Sequence, residues 1–118
     1  MESYPSEQDL LAALDRGDEL VRLCASGRLS FAEFCERYDN LYWVYAMDGH
    51  EANTEGRAVL TKYASRIAPH RAVAEILGMV CSDPDADTEA YRRAGRFGSS
   101  EAVARLTLVA SGLSGGEA

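Results

Sequence analysis

Residues 27–49, GRLSFAEFCERYDNLYWVYAMDG, decide the fold class of this chain. Ser30 followed three residues later by Glu33 forms a capping box, which satisfies backbone N–H groups left unpaired at a helix start. Phe31, Phe34, Cys35, Tyr38, Leu41, Tyr42 and Tyr45 then recur at spacings of three and four, gathering on one helix face. Gly49 is a natural stop. At about 100° per residue, the same register turns Trp43 away from that face, toward Glu33, Glu36, Asn40 and Met47. A large apolar ring among charges needs a cover. Either a partner protein supplies it, or another helix of the same domain, such as the N-terminal one, packs over it.

Outward from this segment the helical period continues. Leu10, Leu14, Gly17, Val21 and Cys24 mark either one long N-terminal helix or two short ones divided near Gly17, where glycine costs about 1 kcal/mol against alanine. Asn53 or Thr54 caps a third helix carrying Val59, Leu60, Tyr63 and Ile67, and Pro69 is expected to end it by disfavouring helical geometry before the ring. A fourth helix over 71–81 carries Val73, Ile76, Leu77 and Val80. SDPDADTE reads as a polar loop before a short helix around 90–94, and Ser99 or Ser100 opens a last helix with Val103, Leu106 and Val109 inward. These features predict an all-α single domain over residues 1–111, a bundle of five or six short helices, with 112–118 as a glycine-rich tail that frays. Phe34, Tyr38, Leu41, Leu60, Ile76, Leu77, Val103 and Leu106 are its expected core.

A chain of 118 residues with net charge −7 fits one domain large enough to form a core without metal or disulfide staples. The charge is uneven: residues 1–55 hold twelve acids against four bases, or −8, and residues 56–81 hold four bases against Glu75, or +3. Residues 82–89 contribute −4 and the rest +2. Such a field repels nucleic-acid phosphates, so direct nucleic-acid binding is not expected; it attracts a basic protein, or simply keeps a small chain soluble. Cys24, Cys35 and Cys81, an odd number at unpaired spacings, read as buried thiols. The N-terminus lacks a secretory pattern and no apolar run reaches the roughly 20 residues of a bilayer span, so a cytoplasmic location with no membrane association is expected.

No cofactor is expected, and no catalytic constellation is visible. Asp83, Asp85, Asp87 and Glu89 alternate like ligands of a calcium loop, yet Thr88 stands where the required glycine belongs and Ala94 where the closing glutamate belongs. The run reads instead as an acidic finger for a cationic partner, or as a solvated loop whose Asp87 caps the next helix. His50 and His70 lie in no zinc spacing and read as surface or capping residues. No glycine-flanked nucleophile elbow is present.

The segment LVRLCASGRLSFAEFCERYDNLYW, residues 20–43, resembles the opening of the colicin D immunity-like proteins, small acidic helical proteins of bacterial toxin gene clusters. The likeness lies in the order helix, Gly27, Leu29, Ser30, Glu33, Phe34, then an aromatic-rich second helix. It implies a non-enzymatic immunity protein that binds a cognate nuclease toxin and fills its basic cleft with acids. On that expectation Glu36, Trp43, Asp48, Glu51, Glu55, Asp83, Asp85, Asp87 and Glu89 face the partner, with Trp43 as apolar anchor. The alternative is a self-associating helical interaction or regulatory module, a homodimer with Trp43 across its interface.

Overall fold

The computed structural model describes residues 6–39 and 52–113. Of these, 78% are helical and none forms a strand, so the chain is all-α as expected. Among the described residues there are seven helices: α1 (Glu7–Ala25), α2 (Phe31–Asp39), α3 (Thr54–Lys62), α4 (Ala64–Met79), α5 (Asp83–Ala86), α6 (Glu89–Arg93) and α7 (Ser99–Ser111). Among the described residues no helix is long and apolar enough to cross a membrane.

α1 starts where Ser6 accepts a hydrogen bond from the Asp9 N–H at 3.1 Å, and it runs through Gly17 unbroken. Leu10, Leu14, Leu20, Val21 and Cys24 are buried along it, and packing of this stripe outweighs the weak helix preference of the glycine. The chain then reverses at Gly27, whose φ of +80° lies in the left-handed region. The capping box forms: the Glu33 N–H reaches Ser30 Oγ at 3.1 Å, and Glu33 Oε1 accepts from the Ser30 N–H at 3.5 Å. Phe34 and Tyr38, one turn apart on α2, are buried with ring centroids 5.0 Å apart. Leu41, Tyr42 and Tyr45 lie outside the described residues.

The boundary between the third and fourth helices departs from expectation. α3, capped by Asn53 at the Gly56 N–H (2.7 Å), stops at Lys62; the next helix starts at Ala64 and passes through Pro69. Ile67, His70, Val73 and Ile76 form one buried stripe on α4. Burying that stripe offsets the backbone hydrogen bond that proline lacks. A second difference is local: residues 83–86, expected as loop, form α5, started by Ser82 at the Asp85 N–H and by Pro84 in the first turn.

α1 is the central element, packing against α2, α4 and α7, while α4 also packs on α7 and α3. Leu60, Ile76 and Leu106 are buried as expected, but Leu77 and Val103 are only partly so. All three cysteines are free thiols; Cys24 is buried, while Cys35 and Cys81, expected to be, are half-buried. At the far end Leu113, assigned by sequence to the tail, tucks into the core.

Candidate functional site

The charge zones of the sequence meet in the fold. The Lys62 Nζ lies 3.0 Å from Glu7 Oε2, and the Tyr63 hydroxyl donates to the same oxygen. These hydrogen bonds, Tyr63 first and Lys62 second, hold the Glu7 carboxyl below its usual range. Arg66 Nη2 reaches Asp15 Oδ1 at 3.1 Å and Asp18 Oδ2 at 2.9 Å. Two cations of the basic segment 56–81, Lys62 and Arg66, are thus matched to acids of α1.

Asp18 continues inward. Its Oδ1 lies 2.6 Å from His70 Nε2, and His70 Nδ1 lies 2.7 Å from the Tyr38 hydroxyl. His70 is 0% exposed, Tyr38 2% and Asp18 4%, so the expectation of a surface or capping His70 is corrected. Burial lowers the pKa of His70, against the hydrogen bond and charge of Asp18, which raise it; the nearby Arg66 charge lowers it again. Burial, then the Asp18 charge, raises the Tyr38 pKa. The imidazole is therefore neutral near pH 7, with its proton on Nε2 toward the acceptor-only carboxylate, and the Tyr38 O–H donates to Nδ1. An acid, an imidazole and a phenol in a row have the order of a proton relay, but no substrate reaches an imidazole with no exposed surface. The chain joins α1, α2 and α4.

The acidic run at 83–89 occupies an excursion closed at its base. The Cys81 N–H bonds Phe97 O at 2.9 Å and the Phe97 N–H bonds Met79 O at 3.3 Å, around a parallel bridge between Val80 and Phe97. Asp83 Oδ1 accepts from the Ser99 N–H at 2.8 Å and from the Ser99 hydroxyl at 3.1 Å, capping α7 in place of Gly98. A Cβ at Gly98 would stand 2.6 Å from that oxygen. Asp87 lies 3.7 Å from Arg92, and Glu89 pairs with Arg93 one turn on. With four acids and Arg92, Arg93 and Arg96, residues 83–96 carry only −1. Beside them Arg92, Arg96, Arg105 and Glu101 line an open cleft of about 470 Å³, with the Arg105 guanidinium 4.3 Å over the Phe97 ring.

Of the residues expected to face a partner, Glu36 is exposed on α2 and Glu55 is exposed in the first turn of α3. Asp83, Asp85, Asp87 and Glu89 belong to the excursion, where Asp85 is half-buried and Asp83 is a cap. Trp43, Asp48 and Glu51, like His50, lie outside the described residues. Reasoning from sequence overlooked Asp18 and His70, although both interrupt apolar stripes: Asp18 stands between Leu14 and Val21, His70 between Ile67 and Val73. A polar residue at a core position implies a buried partner. Among the described residues no three His, Cys, Asp or Glu side chains are grouped to hold a metal. Comparison with known protein families, curated proteins and solved structures gave no match.

Proposed function

We propose that this chain is a non-enzymatic inhibitor of the immunity type, which binds and neutralises a basic toxin domain through the acid-rich segment 36–55. One observation carries the reading. Residues 36–55 hold Glu36, Asp39, Asp48, Glu51 and Glu55 against Arg37 alone, a net −4, whereas residues 83–96, the other acid-rich stretch, carry only −1. Trp43 lies within that segment. Carboxylates at 36, 48, 51 and 55 would pair with arginines and lysines that otherwise hold RNA phosphate, and the Trp43 ring would fill an apolar recess beside them. The excursion contributes through Asp85, Asp87 and Glu89 at its margin.

The test is to seek a basic toxin domain among the neighbouring genes and co-express it with this chain, read as cell growth, together with the salt dependence of association. The wild type restores growth and binds more weakly as salt rises. Glu36→Lys with Glu55→Lys loses rescue and flattens the salt slope, while Asp87→Lys with Glu89→Lys has the smaller effect. Absence of rescue, with no salt-dependent association with that basic domain, overturns the reading. The self-association alternative would instead give a dimer whose stability is indifferent to salt. Among the described residues, the large apolar side chains exposed enough to contribute to it are Tyr91 and Leu108.

A further inference from the structure

We propose that the cleft around Phe97 binds a small phosphate monoester with an apolar body, the phosphate on Arg92, Arg96 and Arg105 and the body along Ile76 and Met79. The return of the chain at Phe97 assembles it. Gly95, at φ +79°, turns the backbone where a side chain would stand 3.2 Å from Met79 Cε. Two residues on, the Phe97 backbone bonds Met79 O and the Cys81 N–H, so its ring is buried while the preceding Arg96 is exposed. α6 supplies Arg92 and α7 supplies Arg105 to the same open cleft of about 470 Å³, a size within the roughly 300–1,000 Å³ of small-molecule sites.

The three guanidinium groups are positioned without being used up. Arg92 donates through Nε to Ala86 O at 3.3 Å, and Arg105 donates through Nε to Glu101 Oε2 at 2.9 Å while lying 4.3 Å over the Phe97 ring. Each keeps its Nη hydrogens for another acceptor, since Asp87 stands 3.7 Å from Arg92 Nη2, beyond hydrogen-bond reach. The Arg96 side chain makes no hydrogen bond or ion pair in the described residues. Among the residues lining the cleft Glu101 is the one acid, which leaves +2 in a chain of net −7. A phosphate monoester carries close to −2 at pH 7, and guanidinium forks meet its oxygens two at a time.

The organic body is called for by what lies next door. Phe97 and Arg105 also border a second hollow of about 290 Å³, whose other walls are Ala72, Glu75, Ile76 and Met79. Inorganic phosphate would occupy the cationic half alone. An ester whose phosphate sits on the arginines can lay its apolar group past Phe97 against Ile76 and Met79, and this added apolar contact favours it over the bare anion. The site is independent of the inhibitor reading.

Amide NMR of the free full chain, titrated with phenyl phosphate, tests it. Amides of residues 92–105 and of Ile76 and Met79 should shift together and saturate with a Kd of about 1 mM, because water still competes in an open cleft. Inorganic phosphate should need roughly tenfold more, and phenol should not saturate. Arg96→Gln should weaken phenyl phosphate about tenfold with Tm unchanged, and Arg92→Gln should do likewise, so a folding failure in one leaves the other to decide. The proposal is overturned by the absence of saturable shifts, by shifts around Arg57 as large as those around Arg96, by inorganic phosphate binding equally well, or by unchanged affinity in the folded variants.

Discussion

The joint among α1, α2 and α4 and the excursion between Val80 and Phe97 both set carboxylates against hydrogen-bond donors and cations, and they differ in what surrounds the charges. At the joint the Asp18 side chain is 6% exposed, and its two oxygens are held by His70 and Arg66 out of reach of water. In the excursion the side chains of Asp87 and Glu89 are 85% and 75% exposed. Water competes for every pairing there. Exposed pairs are worth at most about 1 kcal/mol, whereas breaking a buried one costs about 3–5 kcal/mol because the surviving partner is stranded. The joint therefore sets how three helices sit on one another, while the excursion is held by its backbone bonds, the Asp83 cap and the Phe97 ring.

The largest expected effect is at the joint. Asp18→Ala leaves the His70 Nε2–H without its acceptor and should lower stability by about 3–5 kcal/mol in urea unfolding, against a change within about 0.5 kcal/mol for Asp87→Ala. Similar losses for the two would erase the contrast. Next, Tyr38→Phe removes the buried hydroxyl bonded to His70 Nδ1 and should cost about 1–3 kcal/mol.

The pH response sharpens the same contrast. The folded pKa of His70 lies below its ordinary value of 6.5, so the unfolded chain takes up this proton first. Stability is full above 6.5 and declines as pH falls toward the folded value, the slope vanishing once both states are protonated. Glu7 acts lower: its contribution is present above the ordinary 4.5 and is lost as pH falls through its lowered folded value. His70→Gln should remove the upper limb of the acid unfolding curve and keep the lower one.

Smaller again is Gly98→Ala. Its methyl group displaces the Asp83 carboxylate from the α7 N-terminus, at about 1 kcal/mol, read as a fall in Tm. The smallest is calcium. Millimolar Ca²⁺ should leave Tm unchanged, because Ser99, Arg92 and Arg93 already engage Asp83, Asp87 and Glu89; a rise of several degrees would overturn that account.

Fold class was legible because helix periodicity and caps are local signals, and Ser30, Glu33 and Asn53 act where the sequence places them. The third boundary was not. Pro69 is a strong local signal, and tertiary burial of Ile67, His70, Val73 and Ile76 overrides it, which no window around residue 69 shows. His70 was misread for the same reason, since its partners Asp18 and Tyr38 are 52 and 32 residues away. Glu36 and Glu55 are exposed. The acids at 83–89 looked uniform in sequence and are not: two sit beside arginines one turn on, one is half-buried, and Asp83 caps a helix only because the chain returns at Phe97.

The bridge between Val80 and Phe97 is parallel, so the chain arrives at both residues travelling the same way. A two-residue turn cannot achieve that; the chain has to loop round and re-enter from behind, and α5 and α6 make up that detour. Its length consequently has a floor and no comparable ceiling. Extra residues between Asp87 and Thr88, both exposed and outside the helices, would add little closure entropy, whereas trimming the detour would pull Phe97 out of register and uncover the core beneath it. Natural variation in this protein should therefore lengthen the detour at its tip more readily than shorten it.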